Sequence, residues 1–254
     1  MIALTILCAG IYMLFLLPTK SIPLIPGITE IRPASILPVI FGLLFGPAGA
    51  WGSAIGNLCG DFFGTLSIGS VFGFIGNFMY SFIPYKLWRY IKQKHNEDGT
   101  PTINSPVKLI YFGIIGFVSS AATALIIAWG LDLLGLADFT KISVIITLNN
   151  VGITLVAGPL LLPFAYSVAN RNKILWTDIM HPKDISSSSG DILHPLMIMV
   201  GSIGGLAIGL LSGCLFAGQK ILGQQILTDT TGSPIVIFSI LPFLLILFYG
   251  SFKS

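Results

Sequence analysis

Eight apolar runs constrain the fold of this chain more than any other feature. They cover approximately residues 2–17, 35–46, 47–63, 68–90, 108–131, 142–166, 195–218 and 234–250. Most of them are long enough, at 1.5 Å per residue, to cross the ~30 Å hydrocarbon layer of a bilayer. Only 9% of the residues are charged, whereas a soluble domain carries about 25%. The chain is therefore predicted to be an all-α, polytopic transmembrane helical bundle in a lipid bilayer. A soluble enzyme and a nucleic-acid-binding module are excluded as whole-chain readings.

The second apolar run ends at Gly46-Pro47, a pair that should break a helix. Residues 35–63 are therefore either one kinked span or two short helices that form a hairpin. A hairpin that crosses only partway leaves the following segments on the same sides of the membrane as a full hairpin does. Its short first arm would then need to be buried by other helices.

The distribution of basic residues favours the hairpin, because basic loops face the cytoplasm. We read residues 2–17 as a retained span with its N-terminus inside. The hairpin then places nine of the thirteen basic residues in cytoplasmic segments, and both termini are cytoplasmic. These nine are Lys86, Arg89, Lys92, Lys94, Lys108, Arg171, Lys173, Lys183 and Lys253. The expected location is a multi-pass position in a prokaryotic plasma membrane, and an inverted chain with one span fewer is the alternative.

The longest polar stretch, residues 167–194, separates the first six runs from the last two. Because a long polar connection is the most plausible boundary in such a chain, three parts are predicted. They are a six-span core at 1–170, a cytoplasmic linker at 171–194, and an additional two-span hairpin at 195–254.

Glycines spaced by four form two stripes, each on one face of a predicted helix. Without side chains, such a face lets another helix approach closely, and packing of this kind drives helix association in lipid. Tight packing inside the bundle is the first interpretation, and contact with a partner protein is the alternative. The predicted helix-packing residues are Gly52, Gly56, Gly60, Gly64, Gly201, Gly205, Gly209 and Gly213.

Few polar residues lie at membrane depth, and each is costly there unless it is paired or lines a cavity. In the proposed topology several of them share the outer leaflet, beneath the proline-rich loop from Pro18 to Ala34. The alternative is that they only bond neighbouring helices, with Trp129 as an interfacial residue. The predicted substrate-binding residues are Glu30, Arg32, Asp61, Asn77, Trp129, Asp132, Asn149 and Asn150.

The sequence carries no pattern that indicates catalysis. It lacks H-E-x-x-H, G-x-S-x-G and the Walker A motif. The three cysteines, Cys8, Cys59 and Cys214, lie in apolar runs without the spacing of a metal site. We therefore expect no catalytic residue, no metal ligand and no cofactor, and the chain is not expected to be an enzyme.

The segment from Ile36 through the Gly46-Pro47 turn to Asp61 is a short span, a turn and a small-residue helix that ends near an acid. This arrangement resembles the S components of energy-coupling factor (ECF) transporters, and the resemblance covers about residues 1–166. It implies six spans, cytoplasmic termini and a long first loop. It also implies binding of a vitamin or similar small micronutrient on the outer side, with a transmembrane coupling protein and two cytoplasmic ATPase subunits as partners.

The chain departs from this family in two places. The Ala-x-x-x-Ala pattern of the family's first helix is represented here only by Thr5 and Ala9, and the last two spans exceed the family layout. The predicted function is substrate capture for uptake. A structural or assembly subunit without a ligand and an intramembrane enzyme are the alternatives.

Overall fold

Helices make up nearly all of the regular structure. A computed structural model describes residues 1–18, 23–25, 29–30, 32–64, 66–95, 100–181, 192–216 and 232–253. The first six helices are α1 (Ile2–Leu16), α2 (Ile36–Phe45), α3 (Pro47–Asp61), α4 (Ser70–His95), α5 (Pro106–Leu133) and α6 (Phe139–Arg171). The remaining elements are α7 (Trp176–Ile179), α8 (Leu193–Met199), a π-helical segment (Val200–Gly204), α9 (Gly205–Phe216) and α10 (Pro234–Phe252). The predicted all-α membrane bundle is thus confirmed.

The first loop contains the only strands in the described part of the chain. Strand β1 (Pro23–Ile25) pairs antiparallel with β2 (Thr29–Glu30), and a 3-10 turn (Pro33–Ser35) then leads into α2.

Four helical segments of the described chain are both long and apolar enough to cross a membrane. They are Pro106–Leu133, Phe139–Ile179, Leu193–Phe216 and Pro234–Phe252. Helices α1 and α2 are apolar but shorter. The 15 residues of α1 extend about 22 Å, which is less than the ~30 Å of hydrocarbon. The apolar runs therefore occur in the predicted order, but fewer of them than expected have full membrane length.

The predicted break at Gly46-Pro47 is confirmed. Gly46 has a φ of 56°, a backbone conformation that favours glycine, and Pro47 is the first residue of α3. The chain reverses direction at this turn, as shown by the Cβ position of Gly49, which lies 2.9 Å from Cβ of Phe41. Helix α2 is buried along nearly its whole length, between α3, α4 and α6. The short first arm is therefore covered by protein, as a partial hairpin requires.

Helices α1 and α3 pack closely along the first glycine stripe. A Cβ atom on Gly56 would lie 2.8 Å from the backbone oxygen of Ala9, and one on Gly52 would lie 2.9 Å from that of Thr5. Gly60 is buried on the same helix. Gly64 differs, because it follows the end of α3 with a φ of 139° and open space around its Cβ position. Close contact with α1 is thus made by the first half of the stripe.

The second glycine stripe joins the π-helical segment and α9 to their neighbours. The Cβ position of Gly201 lies 2.6 Å from the backbone nitrogen of Leu247 in α10, and that of Gly205 lies 2.6 Å from Cδ2 of Leu125 in α5. Gly209 faces Phe139 of α6, and Gly213 faces Thr140. The two C-terminal helices therefore pack directly on α5 and α6. The predicted division at residue 170 stays a prediction, and residues 182–191 of the predicted linker lie outside the described chain.

Candidate binding cavity

A cavity of about 230 Å³ opens where α3 ends and α4 begins, enclosed by α1, α3, α4, α5 and α6. We call this the cavity, and the end of the bundle that holds Asp61 and Ser70 the cavity end. One part of its wall is polar and the other is apolar. The lining residues are Tyr12, Arg32, Ser35, Asn57, Asp61, Ser67, Gly69, Ser70, Gly73, Asn77, Tyr80, Thr123, Ile127, Leu131, Leu136, Ala137, Ile146, Asn149 and Asn150.

Helix α3 contributes an amide and a carboxylate to one wall. Asn57 and Asp61 are four residues apart and therefore lie on one helix face. Both are buried, and Nδ2 of Asn57 donates a hydrogen bond to Oδ2 of Asp61 at 3.4 Å. The guanidinium of Arg32 donates from Nη1 to Oδ1 of Asn57 at 3.3 Å. Arg32 precedes α2, so this bond ties the end of the first loop to the cavity wall.

The next wall is set by a contact between α1 and α4. The hydroxyl of Tyr12 donates to Oδ1 of Asn77 at 2.9 Å, and Nδ2 of Asn77 donates to the backbone oxygen of Gly73 at the same distance. These two bonds fix the orientation of the Asn77 amide. Gly73 leaves room for the polar groups of α3, because a Cβ atom there would lie 3.1 Å from Nδ2 of Asn57.

Helices α5 and α6 supply most of the apolar wall. Thr123, Ile127 and Leu131 recur every four residues along α5 and form one stripe that faces the cavity. On α6, Asn149 and Asn150 both reach the cavity. The hydroxyl of Tyr80 lies 3.1 Å from Oγ1 of Thr154 and donates to the backbone oxygen of Asn150 at 3.5 Å. These contacts of the Tyr80 hydroxyl secure α4 to α6 close to Asn149 and Asn150.

The structure brings five of the eight predicted binding residues together at the cavity. They are Arg32, Asp61, Asn77, Asn149 and Asn150. The side chain of Glu30, in β2, lies outside the described part of the structure. The role of these predicted residues in substrate binding stays a prediction.

Trp129 and Asp132 do not line the cavity. They lie on other faces of α5 from the stripe that ends at Leu131, because successive residues point about 100° apart on a helix. Nε1 of Trp129 donates to the backbone oxygen of Ile237 at 3.1 Å, and Asp132 accepts a hydrogen bond from the backbone nitrogen of Gly232 at 3.1 Å. Both residues therefore contact the C-terminal segment.

Sequence reasoning missed several residues that line the cavity, notably Tyr12, Tyr80 and Asn57. Asn57 could have been found from its spacing to Asp61, because two polar residues four apart share a helix face. The tyrosines gave a weaker signal, namely a hydroxyl within an apolar run, which needs a hydrogen-bond partner when buried. No metal site is formed by the described residues, among which no group of three His, Cys, Asp or Glu side chains lies close together.

Comparison with known proteins identifies the family. The sequence profile of QueT transporters matches residues 2–166, a segment that includes α1 to α5, most of α6 and every residue that lines the cavity. No match was found among curated proteins, and none among solved structures. The family transports rather than transforms its substrate, so the chain is not an enzyme. The resemblance inferred from the Gly46-Pro47 region is confirmed. The chain belongs to the QueT transporter family, whose members are S components of ECF transporters.

Proposed function

We propose that this chain captures a queuosine precursor in the cavity and delivers it for uptake. The known substrate of the QueT family supplies the chemical class. The observation that carries the proposal is the position of the cavity. It lies wholly within the segment that matches the family, and it combines a polar wall with an apolar one. Small-ligand sites have this composition, in which apolar surfaces hold the ligand and a few polar groups orient it.

The polar wall suits the edge of a guanine-like base. A queuosine precursor is a modified guanine, a flat ring that presents N–H donors beside a carbonyl acceptor. The carboxylate of Asp61 can accept two such N–H groups, as an acidic side chain does in reading a base edge. The amides of Asn77, Asn149 and Asn150 offer both donors and acceptors to the remaining ring atoms. Ile127, Leu131 and Ile146 line the apolar wall, where they would contact the ring faces.

This arrangement predicts discrimination by hydrogen bonding. A site built to bond a polar edge rejects analogues that lack that edge, because its buried groups are then left unpaired. Asp61 and Asn77 are 5% and 4% exposed, so water would compensate them poorly. The queuosine precursor is a 7-deazaguanine base. An analogue of this base without the exocyclic amino group should therefore bind at least tenfold more weakly than the base itself.

The partners in this proposal are those of an S component. The chain would work with a transmembrane coupling protein and two cytoplasmic ATPases, in a prokaryotic plasma membrane with both termini cytoplasmic and the cavity end outward. The packing of α1 indicates which of its faces is available to the coupling protein. Thr5 and Ala9 contact α3 through Gly52 and Gly56, so we place the contact with the coupling protein on the opposite face of α1. That face exposes Leu7 and Leu14.

Native mass spectrometry of gently purified protein tests the proposed substrate. Cells are supplied with a 7-deazaguanine base before the membranes are solubilised in mild detergent. We expect one base retained per chain, and its loss from Asp61→Asn. The control is Gly152→Ala, since no atom lies within 4 Å of the Cβ position of Gly152. A folded wild-type protein that carries only lipid under these conditions would contradict the proposal.

A further inference from the structure

The C-terminal helices, which lie beyond the family match, are bonded to the same turn that walls the cavity. This turn joins α5 to α6 and comprises residues 131–138; we call it the α5–α6 turn. Three of its residues, Leu131, Leu136 and Ala137, line the cavity. Its backbone is closed by hydrogen bonds from the nitrogens of Leu136 and Ala137 to the oxygen of Leu131, at 2.9 and 3.4 Å. Any movement of the turn therefore changes the cavity wall.

The other side of the α5–α6 turn carries Asp132, which is 1% exposed. Its Oδ1 accepts a hydrogen bond from the backbone nitrogen of Gly232, two residues before α10 begins. Asp132 thus connects the end of α5 to the chain leading into α10.

Two further contacts reinforce this connection from the C-terminal helices. Nε1 of Trp129, one turn before Asp132, donates to the backbone oxygen of Ile237 in α10. Below it, Gly209 of α9 packs against Phe139 and Ile240. The attachment therefore combines directional hydrogen bonds at the cavity end with close packing deeper in the bundle.

We infer that the C-terminal helices act as a brace that holds the α5–α6 turn, and with it one wall of the cavity, in a fixed position. Asp132 is the positioning residue of this brace. A carboxylate buried at this depth is costly without compensation. Its hydrogen bond to Gly232 supplies part of that compensation only when the C-terminal segment is in place. The consequence for ligand release rests on the proposed function, whereas the mechanical role does not.

Hydrogen–deuterium exchange on the full-length protein in lipid nanodiscs tests the brace without any ligand. Asp132→Ala removes the acceptor for Gly232, and Asp132→Asn retains one. We expect the backbone amides of Leu136 and Ala137 to exchange about tenfold faster in Asp132→Ala, with nearly wild-type exchange in Asp132→Asn. Trp129→Phe retains an aromatic ring at the position that packs on Phe72 and removes the indole N–H that bonds Ile237. This variant should accelerate the exchange of the same two amides, and it provides the test of the brace if Asp132→Ala does not fold.

The control is Ser212→Ala, which removes a hydrogen bond to Ser239 between α9 and α10 and leaves the contacts of Asp132 intact. It should not accelerate exchange in the turn. Unchanged exchange in both Asp132→Ala and Trp129→Phe would overturn the brace. Equal acceleration in Ser212→Ala would also overturn it, because the effect would then reflect general loosening.

Dissociation of a labelled 7-deazaguanine base measures the consequence for the cavity. We expect Asp132→Ala to release the base about tenfold faster than wild type and Asp132→Asn to release it at the wild-type rate. Accelerated exchange with an unchanged release rate would overturn the link between brace and cavity. A wild-type protein that binds no base would contradict the proposed function alone, and the exchange data would then decide the brace by themselves.

Discussion

Tyr12 and Asn77 are joined by a buried 2.9 Å hydrogen bond that links α1 to α4 across 65 residues of sequence. The bond has two consequences for the cavity. It secures α1, a helix too short to cross the hydrocarbon by itself, to the longer α4. It also fixes the Asn77 amide, whose nitrogen is held by the backbone oxygen of Gly73. A residue within the first apolar run thus determines how a polar group of the cavity wall, on the fourth run, is oriented.

Tyr12→Phe should therefore weaken both folding and binding. Loss of the hydroxyl leaves Oδ1 of Asn77 without this donor, and hydrogen bonds between membrane helices contribute about 1 kcal/mol. We expect a lower melting temperature in detergent and a severalfold loss of affinity for the 7-deazaguanine base. The matched control is Tyr249→Phe on α10, where the hydroxyl is bonded to exposed Lys253. Wild-type stability and affinity in Tyr12→Phe would show that the bond has no role.

Gly73→Ala should reduce binding more than stability. The added methyl group would lie 3.1 Å from Nδ2 of Asn57 and 3.8 Å from Oδ2 of Asp61. It would therefore displace the Asn57 amide and occupy space in the cavity, whereas alanine is otherwise favourable in a helix. We expect about a tenfold loss of affinity with a melting temperature close to wild type, measured by equilibrium binding and thermal unfolding. Gly113→Ala is the control, because its Cβ would meet Leu155 at an ordinary 3.6 Å. Normal affinity in Gly73→Ala would place the ligand away from α3.

Gly56→Leu should damage the packing of α1 on α3. A Cβ atom at this position already comes within 3.0 Å of Cβ of Tyr12, so a leucine would separate the helices. Overpacking of this kind costs about 1–3 kcal/mol of unfolding free energy. Gly10→Leu places the same side chain on α1 where no atom lies within 4 Å, and it should be tolerated. Equal melting temperatures for the two variants would contradict the close approach at Gly56.

The topology makes a separate prediction. On a background without Cys8, Cys59 and Cys214, single cysteines at positions 96 and 187 should react with a membrane-impermeant reagent only from the cytoplasmic side. Both positions lie outside the described chain, and the basic residues of the flanking segments predict a cytoplasmic location for them. Labelling of position 96 from outside would invert the proposed orientation.

The sequence predicted those features of the fold that depend on local backbone chemistry. Gly46 and Pro47 marked the hairpin because one adopts a positive φ and the other begins a helix. The spacing of Gly52 and Gly56 marked a face of close approach. The apolar run at 2–17 matched α1 to within one residue, and the 15 residues of that helix are fewer than a full span needs.

The site was less predictable for a physical reason that α5 illustrates. Its residues are apolar on nearly every side, so periodicity does not reveal which face meets the cavity. Asp132 and Trp129 were expected at the ligand, but the rotation of α5 turns them to the C-terminal helices and turns Thr123, Ile127 and Leu131 inward. Tyr12 was missed because its partner, Asn77, is distant in sequence. Such pairings arise only from packing.

The most direct test of the central claim is an equilibrium titration of the full-length protein in nanodiscs with a 7-deazaguanine base. The account predicts saturable binding of one base per chain, and an affinity reduced at least tenfold in Asp61→Asn at an unchanged melting temperature. It also predicts weaker binding of an analogue without the exocyclic amino group. Absence of saturable binding to the folded wild-type protein, or equal affinity in wild type and Asp61→Asn, would contradict the account.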